Sequence, residues 1–71
     1  MTNTELLMKY IERSGLKLGF IADEMHLSRF GLSKKINNIN EFKASEIEKL
    51  CSILNISLKD RSRVFFAKKV E

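Results

Sequence analysis

Ile21-Ala22-Asp23-Glu24-Met25-His26-Leu27-Ser28-Arg29-Phe30-Gly31-Leu32-Ser33-Lys34-Lys35-Ile36-Asn37 is the stretch whose reading decides the fold. Ile21, Ala22 and Met25 recur at the spacing of one helical face, and Asp23 and Glu24 point away from it. This predicts a helix over residues 18–25. Ala22 is small enough for the next helix to approach closely. His26-Leu27-Ser28 reads as a turn, with Leu27 filling the angle and Ser28 serving as an N-cap. From residue 29 to 37 a second helix places Leu32 and Ile36 inward. Phe30, Lys34 and Asn37 then lie roughly opposite, with Ser33 beside them.

The flanking sequence extends the same pattern. Thr2 and Glu5 have capping-box spacing ahead of a helix over residues 3–14, whose apolar face is Leu6, Leu7, Tyr10 and Ile11. Gly15 ends that helix, because glycine takes the left-handed conformation cheaply. Asn37-Asn38-Ile39-Asn40 is a loop by composition. A further helix over residues 44–54 carries Ile47, Leu50, Cys51 and Leu54, with Phe42 packing in just before it and Asn55 ending it. Ser57 and Asp60 again have cap-like spacing, which favours a fifth helix over residues 58–66. The β-prone run Val64-Phe65-Phe66 leaves a short strand ending near Val70 as the alternative. The expected fold is all-α, a compact bundle of four to five short helices with a helix-turn-helix, in one domain over residues 1–71.

Composition narrows the function classes. The chain of 71 residues carries a formal net charge of +4, one cysteine, one histidine and no proline. So short a chain buries only about 60% of its unfolded surface, so its stability margin is thin. A lone Cys51 in a helical apolar pattern fits a small core residue of a reduced, cytoplasmic protein. One His and one Cys do not make a metal site, and no cofactor motif occurs. No apolar run approaches the roughly 18 residues of a membrane span, and the polar start lacks a signal-peptide pattern. An enzyme is a poor reading, because catalysis needs converging titratable groups in a pocket. No small-molecule substrate is expected. Between His26 and Asn40 stand three cations, Arg29, Lys34 and Lys35, and no acid, whereas acids gather at Glu5, Glu12, Asp23, Glu24, Glu46 and Glu48. Such a distribution suits an anionic partner.

Ile21-Ala22, Met25, Leu27-Ser28, Leu32, Ile36-Asn37, Phe42, Glu46-Ile47 and Leu54 together resemble the phage Cro/CI-type repressors. These belong to the lambda-repressor-like (XRE) helix-turn-helix family. The resemblance covers roughly residues 6–56 and implies an origin in a phage or mobile element of Gram-positive bacteria. Three positions depart from the family pattern. His26 and Asn38 stand where glycine is common, and Lys43 stands where a capping threonine is common. A left-handed His26 is tolerable at some cost in strain.

The resemblance implies a transcriptional regulator that reads a double-stranded DNA operator in the major groove with the helix over residues 29–37. Ser28, Arg29, Phe30, Ser33 and Lys34 are the base-reading candidates, with Arg29 or Lys34 on guanine and Phe30 against a thymine methyl. Lys17, Leu18, Lys35, Asn37, Asn38 and Lys43 are the phosphate-contact candidates. Each has a plainer role open to it. Ser28 caps its helix with or without DNA, Arg29 pairs with a nearby acid, Phe30 is partly buried, and Lys34 and Lys35 are solvated. A homodimer is expected, with Val64, Phe65, Phe66 and Val70 as the surface for a second copy or another partner. The alternative is a protein-binding module of the same fold, acting on a repressor or a toxin, with Phe30 as its anchor.

Overall fold

Five short helix-forming stretches, the first four each followed within two residues by a left-handed residue, build a bundle of five helices in the computed structural model, which describes residues 1–67. They are α1 (Thr4–Ser14), α2 (Leu18–Glu24), α3 (Arg29–Ile36), α4 (Ala44–Leu54) and α5 (Leu58–Phe65). No strand occurs among the described residues. Ser57 caps α5 by accepting the Asp60 N–H at 3.2 Å, so the region around Val64-Phe65 is helical and not the start of a strand.

Each helix contributes one apolar stripe to a single core. Leu7, Ile21, Leu32, Leu50 and Val64, one from each helix, are the largest side chains with essentially no exposure. Ala22 is also buried, and its methyl leaves room for α3 to pack against α2. Phe42 meets Phe65 edge to face, with ring centroids 5.4 Å apart. This contact closes the core beneath the α3–α4 loop, as expected for an apolar residue placed just before a helix.

The ends of the helices follow local chemistry, with one correction. Asn3, not Thr2, caps α1, and its side chain accepts the Leu6 N–H at 3.1 Å. Thr2 is buried instead, and its backbone pairs with the Asn38 side chain 36 residues away. The capping-box spacing of Thr2 and Glu5 is therefore incidental. Gly15 takes φ 72° and closes α1. Among the described residues, His26, Asn38 and Asn55 are the non-glycine residues with positive φ, at 56°, 65° and 54°. Two of them stand at the positions where the resemblance expected glycine. Lys43 begins α4 without a side-chain cap, because an ammonium has no acceptor. The Glu46 carboxylate supplies the other half of the motif by accepting the Lys43 N–H at 2.8 Å.

Candidate nucleic-acid interface

The site is the outer surface of α3 together with the start of α2. Ser28 sets the first turn of α3 by accepting the Gly31 N–H at 2.9 Å. With Leu32 and Ile36 anchored in the core, the helix has one rotational setting, and Arg29, Phe30, Ser33 and Lys34 face away from the core. The turn holds because the Leu27 N–H reaches the Ala22 carbonyl at 2.9 Å while His26 takes the left-handed conformation between them. This is how residues 21–32 specify one angle between two helices.

The outward side chains divide by what already holds them. The Asn37 amide donates to the Ser33 carbonyl at 2.9 Å and to its hydroxyl at 3.4 Å, so these two side chains are tied to each other within the helix. The Ser28 hydroxyl serves the cap. Arg29 lies across the start of α2, where a Cβ on Gly19 would sit 3.5 Å from the Arg29 Cδ, an ordinary contact. Arg29 thus shares a surface hollow with Lys17, Leu18, Phe20 and Asp23. No ion pair forms between Arg29 and Asp23 among the described residues. Phe30 is 71% exposed, which removes the partly buried role left open for it. The Lys34 ammonium sits over the Phe30 ring, 4.7 Å from its centroid, one helical turn away.

The phosphate-contact candidates are less uniform. Lys17 caps α2 with no side-chain hydrogen bond, so the first-turn amides from Leu18 onward have no protein side chain as acceptor. Lys43 is exposed at the start of α4. Lys35 is not free. Its ammonium donates to both Glu46 oxygens, at 2.5 and 2.7 Å, and each side chain keeps only 12% of its exposure. Burial pushes the Glu46 carboxyl up, but the Lys35 hydrogen bonds and the Lys43 amide outweigh this and hold it below the ordinary carboxylate value. Asn38 likewise has a structural job, since it pairs with both the N–H and the carbonyl of Thr2, at 2.8 and 2.9 Å. The sequence reading of Lys35 and Asn38 as phosphate ligands is therefore corrected to a tie between α3 and α4 and a tie to the N-terminus.

The proposed partner surface also needs correction. Val64 is fully buried and Phe65 is 5% exposed, so both belong to the core. Phe66 is the open one among the described members of that set, at 62%. Val70 lies outside the described residues. Phe20 was missed at this interface. It is 49% exposed beside Arg29, and its displacement from the Ile21–Ala22–Met25 face is the signal that would have found it.

A family model described as a protein of unknown function, DUF739, matches residues 2–68. The chain belongs to the DUF739 family. The match takes in all five helices of this DUF739 chain and every charged residue of the α2–α3 surface. No curated protein and no solved structure matches the chain. Among the described residues, no helix is long and apolar enough to cross a membrane, and no group of three metal-ligating side chains comes together.

Proposed function

We propose that this chain is a sequence-specific DNA-binding regulator of the Cro/CI type, acting in the cytoplasm as a homodimer and without catalysis or cofactor. One observation carries the reading. The outward face of α3 holds Arg29 and Lys34 unpaired with any acid among the described residues, on a helix whose opposite face is sealed in the core. A helix fixed in rotation, with cations on its solvent face and no acid from His26 to Asn40, suits the major groove. Under this reading Lys17 with the uncapped start of α2, and the exposed Lys43 at the start of α4, would meet the flanking phosphates. In a homodimer, two such helices would read half-sites about 34 Å apart, and Phe66 remains as the apolar contact for the second copy.

The test is an electrophoretic shift series across salt, using DNA that flanks the gene. Affinity should fall steeply as salt rises. The double substitution of Arg29 and Lys34 by alanine should abolish binding without unfolding the protein. If no fragment binds at low salt, the reading fails.

The exposure of Phe30, with Phe20 also open on α2, favours one second reading, a module that grips a repressor or toxin protein. Under that reading the affinity is insensitive to salt and survives the double substitution, because aromatic anchors dominate.

A further inference from the structure

We infer that Phe30 and Lys34 act as one preassembled reading unit for two adjacent base pairs, a T·A pair whose methyl meets the Phe30 ring and a G·C pair whose guanine meets the Lys34 ammonium. This inference rests on the DNA-binding reading above. Four observations lead to it. The Ser28 hydroxyl accepts within its cap, and the Asn37 amide donates to Ser33, so each of these three polar side chains already has a partner in α3. Arg29 leans toward α2, away from the middle of the helix. Phe30 and Lys34 are what remains at the centre of the outward face. They are not independent, because the ammonium rests over the ring at 4.7 Å.

The geometry has a chemical consequence. A lysine on a helix surface ordinarily samples many rotamers, and ordering it opposes binding. Here the ring's negative face holds the ammonium before DNA arrives. One side of the charge is occupied by the ring, and N–H donors on the other side remain for an acceptor pair. In the major groove, guanine offers such a pair in its O6 and N7. The aromatic edge next to the charge has no polar group to offer, and the apolar feature of the groove is the C5 methyl of thymine. The separation of ring and ammonium, 4.7 Å, is comparable with the base-pair step of about 3.4 Å plus a lateral offset. Phe30 therefore has two roles. It reads the methyl directly, and it positions Lys34 on the neighbouring guanine.

The experiment is selection of binding sites from a random-sequence duplex library by the full chain. Each thymine of the enriched site is then replaced by uracil, and each guanine by 7-deazaguanine. One thymine should lose about 4-fold in affinity without its methyl, and a neighbouring guanine should lose about 10-fold without N7. Phe30→Ala should make thymine and uracil equivalent and should also shrink the 7-deazaguanine effect. Phe30→Leu should keep the thymine preference and shrink only the guanine effect, because leucine touches a methyl but holds no cation. Both variants remain folded, since the ring is exposed, and thermal melting checks this. Equal binding of thymine and uracil by the wild type at every position overturns the unit. So does a 7-deazaguanine effect that Phe30→Ala leaves unmoved. In either case an enriched, salt-sensitive site still stands for the DNA-binding reading, whereas failure of any sequence to enrich overturns that reading as well.

Discussion

The Lys35 ammonium reaches across from α3 and donates to both carboxylate oxygens of Glu46 on α4, at 2.5 and 2.7 Å. The same carboxylate accepts the Lys43 N–H, so one side chain both caps α4 and fixes it to the end of α3. Bidentate geometry and low exposure separate this pair from an ordinary surface ion pair. Glu46→Ala removes the partner of a half-buried ammonium and uncaps α4. It should cost about 1–3 kcal/mol, read as a lower midpoint in urea. The Glu46 carboxyl lies below its ordinary value of 4.5 in the folded protein. Its contribution is therefore fully present above that pH and fades as acid takes the pH down through the folded value. Glu46→Gln should flatten this part of the stability profile below pH 4.5.

His26 and Asn38 share the left-handed conformation, at φ 56° and 65°, yet glycine should act on them in opposite directions. His26 makes no side-chain hydrogen bond among the described residues, so His26→Gly removes strain with nothing lost. It should stabilise the chain by about 0.5 kcal/mol after the added flexibility of the unfolded state is counted. Asn38→Gly removes similar strain and also deletes two hydrogen bonds to the Thr2 backbone. It should destabilise by about 1 kcal/mol. Urea melts of the two variants settle the signs.

Tyr10 on α1 donates its hydroxyl to the Asp60 carboxylate on α5, which ties the first helix to the last. The hydrogen bond to Asp60, then desolvation and the charge of Asp60, raise the phenol above its ordinary value of 10.0. A raised phenol stabilises the fold below that pH, and the benefit is lost as pH climbs through the folded value. Tyr10→Phe should lower the melting temperature at neutral pH and remove this alkaline limb, as followed by circular dichroism.

The parts of the fold legible in the sequence were those governed by local rules. Ser28 and Ser57 cap, Gly15 stops α1, and the apolar spacing of Ile21, Ala22, Met25, Leu32 and Ile36 assigns the core face, because each depends on neighbours within one or two turns. Val64 and Phe65 were misassigned to a surface for a related reason. Their identity is apolar either way, and only the packing of α5 against α1 and Phe42 decides that they close the core. Lys35 and Asn38 read differently in the sequence because their partners are distant along the chain, Glu46 on another helix and Thr2 36 residues before Asn38. A lysine next to a lysine reads as a cationic pair in a sequence, while the structure gives one of them a carboxylate and the other an aromatic ring.

That division of labour between Lys34 and Lys35 gives the last prediction. Lys35→Ala should lower stability, because it leaves the half-buried Glu46 carboxylate unpaired. It should leave the salt dependence of the proposed DNA binding unchanged, since its charge is already neutralised within the protein. Lys34→Ala should shift stability by less than about 0.5 kcal/mol. It should weaken the DNA complex and relax the preference at one base pair. The slope of log affinity against log salt should stay near the wild-type value if Lys34 binds only guanine, and should fall by about one if it neutralises a phosphate instead. Urea melts and a salt titration on the same two variants separate the roles. An equal loss of DNA affinity for both, at equal stability, would contradict the assignment of Lys35 to Glu46.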